Sequence, residues 1–61
     1  MKARDVIKIV EQSGWYFERQ QGSHKVFKHP TRSGIVVIPD HGKKDVPVGT
    51  LNSILKQAGL K

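Results

Sequence analysis

Sixty-one residues, no cysteine, and eleven Lys and Arg against five Asp and Glu bound this chain before any motif is read. A chain so short makes one domain, residues 1–61, and buries only about 60% of the surface its unfolded form exposes. It has no disulfide or thiolate metal site to staple it. No apolar run approaches the roughly 20 residues that cross a bilayer, and no apolar signal segment opens the chain, so a cytoplasmic protein without membrane attachment is expected. The formal net charge of +6 and the sequence pI near 10.1 favour a polyanionic partner. Nucleic acid leads, ahead of an anionic membrane surface or an acidic protein.

In chain order, residues 3–13 read as an amphipathic helix. Val6, Ile7 and Val10 recur at helical spacing with Ile9 at the edge of the stripe, and Lys8, Glu11 and Gln12 fall on the polar side. Gly14 followed by Trp15 is the left-handed stop, with Trp15 folding back on Val10. Residues 15–20 read as a strand, with Trp15, Phe17 and Arg19 on one face and Tyr16, Glu18 and Gln20 on the other. Trp15 and Phe17 are expected in the core, and Tyr16 is the aromatic left free for other use. A short loop at Gln21-Gly22-Ser23, with Gly22 at positive φ, leads into a second strand over residues 24–29. Pro30 ends it, and Thr31-Arg32-Ser33-Gly34 is a turn by composition. Ile35-Val36-Val37-Ile38 is a β-branched run expected to be the most buried strand, covered at least in part on both sides. Residues 39–45 form a polar loop. Pro47 opens a second helix to about Ala58, with Val48, Leu51, Ile54, Leu55 and Ala58 as its apolar stripe. Gly59-Leu60 repeats the glycine stop.

The order α-β-β-β-α predicts an α+β fold, a three-stranded antiparallel sheet with both helices on one face. The other face is then polar and free to meet a ligand. Alternation along the second strand puts His24, Val26 and Lys28 on one face and Lys25, Phe27 and His29 on the other. A histidine at the mouth of a hairpin is partly exposed and still held by the sheet, a setting suited to proton chemistry near neutral pH. Lys43 and Lys44 form a second basic cluster before the last helix, where free backbone N–H groups already favour anions. His24, His29 and His41 lack the accompanying Cys or His-Glu-x-x-His spacing of a metal site, so no metal and no cofactor is expected.

Gly22-Ser23-His24 with Phe27, His29-Pro30, Pro47-Val48-Gly49-Thr50-Leu51 and the closing Lys56-Gln57-Ala58-Gly59-Leu60 together resemble the HicA family, over nearly the whole chain. Members are the toxins of HicA–HicB toxin–antitoxin systems. The resemblance implies a fold like the double-stranded-RNA-binding domain and an endoribonuclease that cleaves mRNA and arrests translation. It also implies a HicB-type antitoxin as partner. The histidine of the Gly-Ser-His motif is the family's catalytic residue, and it falls on His24.

Metal-independent RNA cleavage requires a base for the 2′-hydroxyl, charge stabilisation at phosphorus and a proton for the 5′-oxygen. His24 suits the first task. Lys25, Lys28, Lys43 and Lys44 are candidates to disfavour its protonation and to bind phosphate. Ser23 either orients the imidazole, donates to a phosphate oxygen or serves only as a turn residue. The general acid is open among His29, His41, a lysine and water. The competing reading is a non-catalytic RNA-binding module of the same fold; a third is a protein that docks only an acidic partner.

Overall fold

In the computed structural model, which describes residues 1–61, the chain runs α1 (Ala3–Gln12), β1 (Tyr16–Gln21), β2 (His24–Lys28), β3 (Val36–Pro39) and α2 (Val48–Gln57). Both helices end as the sequence predicts. At α1, the N–H groups of Gly14 and Trp15 donate to the carbonyls of Glu11 and Val10 at 3.0 and 3.1 Å. At α2, Gly59 and Leu60 donate to Lys56 and Leu55 at 3.0 and 2.8 Å. Both are Schellman stops, and each needs a residue in the left-handed region, here Gly14 at φ 95° and Gly59 at φ 75°. The stop on α1 turns Trp15 inward, where its indole N–H donates to the Ala58 carbonyl at 3.2 Å and joins the ends of the two helices.

The sheet is antiparallel with order β1-β2-β3, so β2 is the strand paired on both sides. The pairs Phe17–Phe27, Gln20–Lys25, Lys25–Ile38 and Phe27–Val36 lie toward the helices. The pairs Tyr16–Lys28, Arg19–Val26, Gln21–His24, His24–Pro39 and Val26–Val37 lie on the opposite, open face. One continuous core takes Ala3, Val6 and Val10 from α1, Phe27, Val36 and Ile38 from the sheet, and Ile54 and Ala58 at the end of α2, with Trp15 and Val46. Because all its sheet residues come from one face, both helices occupy that face.

Four expectations change. A bulge between Phe17 and Arg19 leaves Glu18 unpaired and shifts the alternation of β1, so Arg19 joins the open face and Gln20 the helix face. Phe17 is 50% exposed rather than core, because β1 is the outer strand and the helices pack over β3; it meets Phe27 edge-on with ring centroids 5.9 Å apart. The third strand is an edge and, as expected, the most buried of the three, but it is shifted by one residue to Val36–Pro39. Val36 and Ile38 are buried, Val37 is half-buried, and Ile35 lies outside the ladder at 40% exposure. Pro39 takes the last place in the strand, which an edge tolerates because one flank needs no donor. Val48, at the head of α2 before the helix reaches the core, is 73% exposed.

His29, just past β2, is a structural residue. The Thr31 N–H donates to its Nδ1 at 3.1 Å, which leaves Nε2 as the protonated nitrogen, donating to the Ser13 carbonyl at 2.9 Å. The ring lies edge-on to Trp15 at 5.2 Å and fills the space against Gly14, where a Cβ would stand 2.7 Å from Nε2. His29→Ala therefore strips partners from two backbone groups and opens a gap beside Trp15. It is expected to cost about 2 kcal/mol, read as a lowered thermal-unfolding midpoint by circular dichroism. A midpoint equal to that of the wild type would show that this ring holds nothing in place.

Candidate active site

The turn that presents His24 is shorter than the sequence suggests. Gln21 and His24 are paired, so only Gly22 and Ser23 form the loop, with φ 59° at Gly22 and no positive φ at Ser23. A two-residue loop with positive φ at its first position alone is the type II′ pattern, whose twist matches that of the flanking strands. The Gln20 side-chain amide braces it by donating to the Gly22 carbonyl at 2.9 Å. On the other side, the Asp40 N–H donates to the Ser23 carbonyl at 2.7 Å and ties the loop after β3 to the hairpin. The backbone around His24 is thus fixed by both neighbouring strands. Its side chain is exposed and makes no hydrogen bond or ion pair with the protein.

Of the five residues expected to contact RNA, Ser23 adjoins His24, half-buried, with its hydroxyl free. Lys28 shares the open face with His24 but lies four residues along the strand, about 13 Å away at the usual rise. Its ammonium is 3.2 Å from Glu18. Lys25 is on the helix face, at the rim of a cleft of about 300 Å³ lined also by Ile7, Glu11, Phe17, Gln20 and Phe27. This cleft lies across the sheet from His24. Lys25 is bound to Asp40 at 2.8 Å, and Asp40 also accepts the Gly42 N–H at 3.0 Å. The hydrogen bond from Lys25, then that from Gly42, holds the Asp40 carboxyl below its usual value of 3.8.

Lys43 and Lys44 are exposed in the loop that leaves β3 beside His24 and runs to α2. The loop is held at its start by Asp40. At its far end the Lys2 ammonium donates to the Lys43 carbonyl at 2.7 Å, and Val46 donates to Met1. Beyond it, α2 begins at Pro47 with no side-chain cap and no acidic residue in its first turn, so its N-terminal dipole is uncompensated. His41, in the same loop, is exposed at the His24 end of the sheet, whereas His29 lies at the other end with both ring nitrogens engaged. No three His, Asp or Glu side chains converge as a metal-binding group, and no helix is long and apolar enough to cross a membrane.

Arg19 was not among the site residues expected from the sequence. Alternation assigns it the face of Phe17, and only the bulge at Glu18 delivers it to the face of His24, 47% exposed and paired with Glu18 at 2.8 Å. Phe17-Glu18-Arg19 carries no glycine or proline that would announce a bulge.

Two comparisons bear on this arrangement. A family model described as the HicA toxin of bacterial toxin–antitoxin matches residues 3–60. A "Probable mRNA interferase HicA" of Pseudomonas fluorescens (strain Pf0-1) is 38% identical over 61 residues, covering 100% of this chain and 98% of that protein. With helix order, strand order and the Gly22-Ser23-His24 turn all in place and nearly every residue inside the match, the chain belongs to the HicA toxin family.

Proposed function

We propose that this protein is an endoribonuclease toxin that cleaves mRNA in the cytoplasm, arrests translation without a metal, and is held inactive by a HicB-type antitoxin. The observation that carries the reading is His24 itself. It is an unpartnered imidazole on a rigid backbone at the mouth of a hairpin, on a body of net charge +6. The interferase relative and the family match support it.

In this reading His24 takes the proton of the 2′-hydroxyl, whose oxygen attacks the adjacent phosphorus. The P–O5′ bond breaks and the 5′-oxygen takes a proton from a general acid, open among His41, a lysine and water, leaving a 2′,3′-cyclic phosphate and a 5′-hydroxyl. In the same reading Ser23, whose hydroxyl has no partner in the protein, donates to a phosphate oxygen. Lys43 and Lys44 bind the strand beside the uncompensated N-terminus of α2, where anions are favoured, and Lys28 holds it along the sheet. Lys25 belongs to the same machinery at one remove. Its ammonium faces away from His24 and holds Asp40, so its part is to fix the loop that carries His41, Lys43 and Lys44. Among the candidates for general acid, His29 is committed to Ser13 and Thr31 at the wrong end of β2. The antitoxin is expected to cover the His24 face with acidic groups, competing with phosphate there.

Removing a general base costs roughly 10²–10⁴-fold in rate. His24→Ala is expected to lose that much cleavage of single-stranded RNA in the presence of chelator, with RNA affinity and unfolding midpoint nearly unchanged because the side chain is exposed and unbonded. Retained cleavage in His24→Ala would remove the assignment, and RNA binding without product from the wild type would favour the non-catalytic module.

Asp40→Asn removes the charge that fixes Lys25, and should slow cleavage while leaving His24 in place. The pH dependence has a definite sign. The folded carboxyl titrates below its unfolded value of 3.8, so its stabilisation is complete above that value and is lost as pH falls through the lower, folded one. Urea midpoints of wild type and Asp40→Asn should differ at pH 6 and converge on acidification below about pH 4; a gap that is constant with pH would refute the ion-pair account.

A further inference from the structure

The bulge at Glu18 places three charged side chains on the open face within one stretch of sheet. Glu18 lies 2.8 Å from Arg19 on its own strand and 3.2 Å from Lys28 across the ladder. Tyr16, the cross-strand partner of Lys28, stands beside them with half its surface in solvent. Beneath, Val26 is buried between its partners Arg19 and Val37, so the floor is firm. This group shares its face with His24 and lies about 13 Å from it along β2. Nothing in the fold covers it, since both helices occupy the other side.

Resting on the reading of His24 as the cleaving base, we infer that Tyr16, Arg19 and Lys28 form a distal subsite for the same single-stranded RNA. The base of a nucleotide removed from the scissile phosphate stacks on Tyr16, and its phosphate is bound by Arg19 and Lys28. The chemistry of the patch selects this occupant. A phenol ring offers a flat face that any base can use. A guanidinium and an ammonium flanking one carboxylate are already spaced to share an anion between them. Both ion pairs are a third to a half exposed and therefore weak in water, so a phosphate can replace Glu18 at small cost. In the free protein Glu18 keeps the two cations oriented; with RNA bound it is the competitor. The bulge is what makes the subsite, because an unbroken β1 would send Arg19 to the helix face.

Binding of a short uncleavable oligonucleotide, deoxy at the cut position, to His24→Ala protein reads the subsite without any chemistry. Tyr16→Ala on that background is expected to weaken binding about tenfold, and Tyr16→Phe, which keeps the ring, to leave it unchanged. Glu18→Gln should tighten binding and steepen its fall with salt, whereas Glu11→Gln, the same charge change on α1, should have a much smaller effect. Removing nucleotides one at a time from either end of the oligonucleotide should produce one step at which His24→Ala loses affinity and the Tyr16→Ala double variant does not. Equal binding by Tyr16→Ala, or truncation steps of equal size in both proteins, would overturn the subsite while leaving the role of His24 to its own cleavage test. Unchanged RNA binding with a loss confined to antitoxin affinity would also overturn it and assign the face to the protein partner.

Discussion

The period-two alternation of β2 is the constraint on which this molecule depends. Phe27 must be buried, because it is the largest side chain the sheet gives to the core. Three residues earlier, an odd offset, His24 is then obliged to stand on the open face. Pairing on both flanks prevents a slip, since a shift of one residue would expose Phe27 and bury His24 together. The position of His24 is therefore secured by the hydrophobic effect acting elsewhere on the same strand. His24 needs no hydrogen bond of its own to be held in place, which leaves its ring nitrogens available.

The same parity separates the two histidines that flank Phe27. His29, an odd step from His24, turns toward the helix side and becomes a strut between α1 and the loop after β2, packed on Trp15. A chain of this size cannot spare such a residue. Its core is small, and its closure relies on a few long-range ties, the Trp15 indole to Ala58 and the His29 ring to Ser13 among them. The two glycine stops contribute by turning the chain where the core requires it. A longer α1 would carry Trp15 away from α2.

Much of this was legible in the sequence because it is written in short-range patterns. The helices, their stops, the order of elements and the burial of Trp15 follow from periodicity and from glycine placement. The faces of β2 were legible for the same reason. The faces of β1 were not, because the bulge at Glu18 is set by how β1 fits its partner, and no residue there demands it. From that one irregularity follows the turning out of Arg19, whereas the exposure of Phe17 comes from its place on an outer strand beyond the helices. The head of α2 departs from its sequence pattern for a different reason. Val48 fits the apolar period, but whether a periodic residue is buried depends on how far the helix overlaps the core, a property of the assembled fold.

Where the acidic groups lie explains how so small a body keeps its charge. Asp5 accepts the Lys2 N–H at the start of α1, Asp40 holds Lys25, Asp45 meets the N-terminal ammonium, and Glu18 lies between Arg19 and Lys28. Four of the five carboxylates are thus spent on fixing the backbone or orienting a side chain, and the cations outnumber them by six. Mutual repulsion among those cations destabilises the compact state and makes any polyanion stabilising. An RNA and an acidic protein surface would draw on the same unbalanced field, so the binding of one would lower the attraction left for the other.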